Sequence, residues 1–174
     1  MKKSNLLLSS FLAVALLTIS CNNDDGPNCP EDLTGALSDK ETSFAHKWVL
    51  SDIVSEEEID LTDDNENNPS TNIFDQYSDC NQDAFYDFKD DRSFQYKQGQ
   101  NTSNCSNKQS SSGTWKLTEN ALTIVSFCNT QIIDIEINTD TTSFFIEDTF
   151  TFTDVNGNRI NSKTKITYNK EVSN

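Results

Sequence analysis

The sequence predicts an all-β protein: an eight-stranded, antiparallel, up-and-down barrel behind a short N-terminal helix or turn. Three observations carry this reading. Past Cys80, apolar and polar residues alternate with a period of two in segment after segment, the mark of strands buried on one face. The joints between segments are short. In the candidate hairpins a turn length exists that sets apolar residues opposite apolar ones, as antiparallel pairs require.

In chain order, residues 1–20 are an address. Lys2 and Lys3 precede an apolar and small-residue run from Leu6 to Ile19, too short to span a bilayer and suited to a secretory signal. The run ends in Thr18-Ile19-Ser20-Cys21, which resembles the lipobox of bacterial lipoproteins. That resemblance implies that Cys21 receives a diacylglycerol and becomes the mature N-terminus, so that the protein's first partner is a membrane. Asn22-Asn23-Asp24-Asp25-Gly26-Pro27 holds no apolar residue and reads as a tether. Its acids, directly after the lipid cysteine, resemble the export signal by which some Gram-negative bacteria carry lipoproteins to the outer face of the outer membrane. The implied organisation is a signal peptide over 1–20, a lipid-anchored tether with a short helical segment over 21–43, and a barrel domain over 44–174.

Leu33, Leu37 and Phe44 fall at roughly helical steps, and Ser38 stands three places before Glu41 as in a capping box. Residues 48–54 read as the first strand, and 56–78 as a long polar loop. Strands over 84–89 and 93–98 follow, in which a three-residue turn, Asp90-Asp91-Arg92, opposes Phe88 to Phe94 and Tyr86 to Tyr96. Segments 113–118 and 121–127 pair through Glu119-Asn120, with Leu117 against Leu122 and Trp115 against Ile124. Asn120 is the better suited of the two to a left-handed backbone. A turn at Cys128-Asn129 would match Ile124 with Ile133 in the next strand, 130–138. The last hairpin, 143–153 with 158–169, takes a three-residue loop, Val155-Asn156-Gly157, that pairs Phe152 with Ile160 and Phe144 with Tyr168 and leaves Gly157 left-handed. Glu147 and Lys165, and Thr149 and Lys163, then share the outer face. Eight such strands close into a barrel that is filled or holds one small ligand; a two-layer sandwich is the alternative. The outward Thr149, Thr151, Asn161, Lys163 and Lys165 exclude a membrane-spanning barrel.

Thirteen Lys plus Arg against 28 Asp plus Glu give a net charge of −15, and loss of Lys2 and Lys3 makes the mature chain more acidic still. Nucleic acid is excluded as a partner, because its phosphates would be repelled over the whole surface. Of the five cysteines, Cys29, Cys80, Cys105 and Cys128 remain once Cys21 is lipidated, an even number in an oxidising compartment. Extending the 84–98 hairpin outward brings Cys80 alongside Cys105, the preferred disulfide; whether Cys29 pairs with Cys128 stays open. Close cysteine pairs are lacking and His46 is the single histidine, so no zinc site is expected.

Tyr86-Asp87-Phe88-Lys89-Asp90-Asp91-Arg92-Ser93-Phe94, followed by Gly113-Thr114-Trp115-Lys116-Leu117 and Leu122-Thr123-Ile124, resembles the lipocalin-like domain of bacterial surface lipoproteins. In that family an aromatic-x-Phe strand turns at Asp-Gly and a Gly-x-Trp strand follows; here Arg92 stands in place of the glycine. The resemblance covers roughly residues 45–170 and implies the barrel scaffold, not a ligand, since the family is functionally varied.

The candidate ligand lining is Tyr86, Phe88, Phe94, Tyr96, Trp115, Phe144, Phe150 and Phe152, which equally suit a packed core. Asp148 interrupts the inward stripe between Ile146 and Phe150. It either holds a polar or cationic group of a ligand or marks a bulge at the rim. Asp60, Thr62 and Asp64 begin a run of alternating oxygen side chains suited to calcium, with Asn65 where a glycine would make the sharp turn; a solvated acidic loop is the alternative. No other cofactor is implied. No serine sits in a nucleophile elbow, the cysteines are expected to be oxidised, and one histidine cannot serve as both metal ligand and base, so no enzyme is expected. The reading is a lipid-anchored surface protein binding a small apolar or amphipathic molecule. Its alternative is a structural or protein-interaction module with a filled core.

Overall fold

The computed structural model describes residues 28–172; the signal segment, Cys21 and the 22–27 tether lie outside them. The described elements are α1 (Asp39–Phe44), β1 (Lys47–Ile59), β2 (Ser70–Asn72), a 3-10 turn (Phe74–Gln76), α2 (Asp79–Gln82), β3 (Phe85–Phe88), β4 (Ser93–Gln98), β5 (Gln109–Thr118), β6 (Ala121–Ser126), β7 (Asn129–Asp134), β8 (Glu136–Ile137), β9 (Ser143–Thr153) and β10 (Arg159–Lys170). All pairings are antiparallel, in the order β7-β6-β5-β4-β3-β1-β10-β9-β8, with β2 on β1. The pairing of β10 with β1 rolls the sheet into a nearly closed barrel, and the alternating apolar residues meet inside it.

Most hairpin registers follow the alternation. Phe88 pairs with Phe94 and Tyr86 with Tyr96, Trp115 with Ile124 and Leu117 with Leu122, Phe152 with Ile160 and Phe144 with Tyr168. Gly157 is left-handed at φ +82°. Gly113 lets β5 and β6 approach: a Cβ there would run into the Val125 carbonyl oxygen. Both disulfides, Cys80–Cys105 and Cys29–Cys128, are formed.

Three expectations are corrected. The strands are ten rather than eight, because a buried Ile59 carries β1 through residues 56–59 of the expected loop, β2 adds to it, and the 130–138 strand divides at Ile135. The β6–β7 turn lies at Phe127 and Cys128, both left-handed, so Ile124 faces Gln131 and Leu122 faces Ile133. A slip of two residues keeps every side chain on its face, so hydrophobic patterning could not choose between the registers. At the β5–β6 turn the left-handed residue is Glu119, φ +53°, rather than Asn120; its carbonyl accepts from Lys40 Nζ at 2.6 Å. On the outer face of the last hairpin Glu147 stands opposite Lys165 and Thr149 opposite Lys163, as expected; Glu147 bonds Lys163 across the diagonal at 2.8 Å, and Lys165 lies over the Phe145 ring at 3.7 Å.

The first strand shows how sequence spacing becomes geometry. Leu50 and Ile53 are three apart, which would place them on opposite faces of a regular strand. A register shift between Leu50 and Asp52 turns both inward, so both are buried.

One end of the barrel is plugged by α1. Six residues are too few for a self-supporting helix, and α1 is held at three points. The Ser38–Glu41 capping box is complete. Phe44, fully buried, sits among Trp48, Phe88, Trp115 and Phe144 at ring separations of 5.0 to 5.9 Å, while its carbonyl accepts from Trp48 Nε1 at 2.9 Å. Finally, Glu41 meets Arg92 of the β3–β4 turn in an ion pair buried at 4% exposure on both sides. Burial alone would raise the Glu41 carboxyl, but hydrogen bonds from Arg92, Ser38 and Leu117 outweigh it and hold its pKa at about 2. Substituting E41Q leaves the Arg92 charge buried and unpaired and is expected to lower unfolding stability in urea by about 3–5 kcal/mol. Because the folded pKa lies below the unfolded one, this contribution is intact above about pH 4.5 and is lost as the pH falls toward 2. Parent and E41Q stabilities should therefore converge on acidification, and curves that stay parallel down to pH 2.5 would contradict the assignment.

Candidate functional site

Away from α1 the barrel is not filled. The ribbon from Asn129 to Ile137 pairs with β6 through Asp134, then crosses at Ile135, whose N–H donates to the Asn120 carbonyl at 2.8 Å, and pairs with the start of β9 through Glu136 and Ile137. Bound to different neighbours at its two ends, it diverges from β9. The result is a wedge-shaped seam, closed near α1 and open toward the other end.

Two adjoining cavities occupy this region. One, of about 450 Å³, lies in the seam against Tyr86, Ile133, Ile146, Asp148, Phe150 and Tyr168. The other, of about 290 Å³, lies toward the β6–β7 turn against Tyr86, Phe94, Tyr96, Ile124 and Phe127. Tyr86 and Gln131 border both. The smaller cavity has a mostly apolar wall, whereas in the larger one Gln131, Asp134, Glu147 and Asp148 share the wall with aliphatic and aromatic side chains; the volumes suit a small organic ligand.

Three phenols converge here. Tyr86 packs on Tyr96 at 4.9 Å and edge-on to Tyr168 at 5.3 Å. Tyr96 Oη donates to Gln98 Oε1 at 2.8 Å. Among the described residues, the Tyr86 and Tyr168 hydroxyls have no hydrogen-bond partner in the protein, though Tyr168 is only 6% exposed. No polar side-chain atom fully sealed from solvent lacks a partner, so both hydroxyls open onto accessible space. Burial pushes the Tyr86 phenol up to about 12, with the neighbouring Tyr96 adding to it, and pushes Tyr168 well above the ordinary value, with Tyr86 and Tyr96 adding to it.

The predicted lining divides in two. Tyr86, Phe94, Tyr96, Asp148 and Phe150 border the cavities. Phe88, Trp115 and Phe144 are buried in the packed end, and Phe152 is half-buried against the core. Asp148 forms no bulge: the β9–β10 ladder runs unbroken through Asp148 and Thr164. Its carboxylate stays exposed on the inward stripe because no strand covers β9 at that point. Tyr168, Ile133 and Ile146 were legible as inward-facing. Gln131, polar and exposed, gave no such signal.

In the acidic loop, Asp60, Thr62 and Asp64 do come together. Thr62 Oγ1 lies 3.1 Å from Asp60 Oδ1, 3.3 Å from Asp64 Oδ2 and 3.0 Å from Asn68 Oδ1. Asn65 takes the left-handed turn, φ +67°. Hydrogen bonds from the Glu66 backbone, Asn68 and Thr62 hold the Asp64 carboxyl below its usual range. Among the described residues, no group of three or more His, Cys, Asp or Glu stands close enough to hold a metal ion.

All four tyrosines are shifted upward, Tyr77 and Tyr96 also chiefly by burial. Alkaline titration followed at 295 nm should therefore show no phenol ionising at the free midpoint of about 10. The stabilisation stored in the neutral phenols is present below that pH and is lost as pH rises toward 12. A full-amplitude step near 10 in folded protein would show that these rings stand in water.

No curated protein matches the chain. A family model described as a domain of unknown function, DUF5004, matches residues 22–171. That match runs from the expected tether through the last strand, and the chain belongs to the DUF5004 family.

Proposed function

We propose that this chain is a lipid-anchored, lipocalin-like binding protein of the bacterial outer surface, non-catalytic, which holds a small apolar or amphipathic molecule in the seam cavity. The observation that carries this reading is the pair of adjoining cavities in which aromatic and aliphatic side chains meet a few acidic and amide groups, bordered by Tyr86 and Tyr168, whose hydroxyls have no protein partner among the described residues. The lipocalin-like count of eight is recovered if the β7–β8 ribbon is taken as one strand and β2 as an appendage of β1. The remainder then follows up-and-down order, with first and last strands paired.

The anchored arrangement draws support from the path of the N-terminal segment. Cys29 is bonded to Cys128 in the β6–β7 turn, and Phe127 beside it borders the mouth and is 80% exposed. From there Leu33 N–H donates to Thr114 Oγ1 at 2.8 Å on the way to α1. Lipid on Cys21 would thus lie within roughly 28 Å of the cavity mouth, the reach of eight extended residues.

The protein-interaction alternative rests on one observation. The facing edges of β7 and β9 have no strand between them, and such edges accept extended segments.

Titration with the uncharged fluorophore N-phenyl-1-naphthylamine tests the first reading. Saturable enhancement is expected. Q131W, at an exposed position bordering both cavities, should weaken it roughly tenfold by filling the mouth, with an unchanged Tm. Absence of saturable binding in the parent would end the ligand reading and leave the strand-edge one.

A further inference from the structure

We infer that the seam cavity selects cationic amphiphiles: an amine or quaternary ammonium group held at Asp148, with Asp134 adding its charge from the outer side of the seam and the apolar body between Tyr86, Ile133, Ile146 and Tyr168. The inference rests on the cavity reading above and adds to it the charge of the ligand.

The seam is one-sided in charge. Asp134, Glu147 and Asp148 border it, and no Lys, Arg or His borders either cavity. Glu147 is matched by Lys163 at 2.8 Å. Asp134 and Asp148 have no ion-pair partner among the described residues. Asp148 Oδ1 accepts from the Thr149 N–H at 2.7 Å, and its other oxygen has no protein donor there. The carboxylate therefore stands on the inward stripe, between Ile146 and Phe150, at the lip of an apolar space.

The second observation is independent of the acids. Tyr168, 6% exposed, lines the same cavity with its hydroxyl unpartnered, and Tyr86 does likewise. Their rings meet at a T-shaped angle of 66°. The ring faces are largely taken up by packing, Tyr168 on Phe144 at 5.0 Å and Tyr86 on Phe88 at 5.5 Å, which leaves the two free hydroxyl oxygens as the polar wall, able to turn their negative ends to a cation and to accept from any N–H it carries. A fatty-acid carboxylate in the same pose would face Asp134 and Asp148 with no lining cation to offset the repulsion, so the geometry rejects anions as well as welcoming cations.

Calorimetric titration of folded protein with decyltrimethylammonium, decanoate and uncharged decanol, each below its micelle concentration, separates the ideas. The expected result is binding of the ammonium roughly tenfold tighter than decanoate, with decanol between them. D148N keeps the acceptor for the Thr149 N–H and should reduce that preference to about threefold or less, as should D134N to a smaller degree. D90N, an equal charge change at the exposed β3–β4 turn by the plugged end, should leave it unaltered. Decanoate binding as tightly as the ammonium, or D90N acting as strongly as D148N, would overturn the inference. If decanol binds and charge makes no difference, the cavity reading survives and the selectivity falls; if none of the three binds, the cavity reading falls and takes the selectivity with it.

Discussion

The arrangement depends most on a buried guanidinium. Arg92 sits in the β3–β4 turn with φ +69°, a conformation that disfavours an arginine by roughly 1–2 kcal/mol. Its side chain repays the strain by spending its donors inside the protein. Nε donates to the Gly35 carbonyl at 2.8 Å and Nη2 to that of Ala36 at 2.8 Å. Both terminal nitrogens meet the Glu41 carboxylate, at 2.7 and 3.1 Å, and Nη1 also reaches the Trp115 carbonyl at 3.3 Å. One side chain thus joins the N-terminal segment, the α1 helix, a hairpin turn and β5. A short helix that could not exist alone becomes the plug on one end, and Phe44 carries the aromatic cluster into the interior.

With that end sealed, the rest of the barrel is free to be imperfect. Trp48, Phe88, Trp115 and Phe144 pack around Phe44 as a solid core. Only a few residues along the same strands, the wall becomes tyrosines and isoleucines around empty volume. The difference arises where the chain crosses from β6 to β9 at Ile135. A ribbon bonded to one neighbour at its start and another at its end has to leave a gap, and the gap exposes Asp148, Gln131 and the Tyr168 hydroxyl. The aromatic stripe is packed at one end of the molecule and borders open volume at the other.

Staples elsewhere hold the loops that flank the open end. Cys80–Cys105 and the Asp83 carboxylate, which accepts from the Gly99, Asn101 and Thr102 N–H groups, pin the β4–β5 loop. Val155 N–H donates to the Asp60 carbonyl at 3.0 Å and ties the acidic loop to the last hairpin. Cys29–Cys128 fastens the N-terminal segment to the mouth itself. The disulfides limit the freedom of these segments in the unfolded chain, whereas the Asp83 and Val155 hydrogen bonds order the loops in the folded one.

By itself, the sequence determined the fold class, the inward faces and most hairpin registers. Those depend on a two-residue period and on turn lengths, which are local quantities: Phe88 against Phe94 and Phe144 against Tyr168 could be written down from spacing alone. It also determined the capping box at Ser38 and Glu41 and the partner of Cys80. Only the tertiary structure decided where a register could slip by two without changing faces, as at Phe127 and Cys128. It also decided why Arg92 stands where a glycine would be easier, and which half of the aromatic stripe is packed and which is hollow. Each of these turns on contacts between residues 50 or more apart in the chain, or on a strand that changes neighbours midway, and alternation along a single strand carries no information about which neighbour is present.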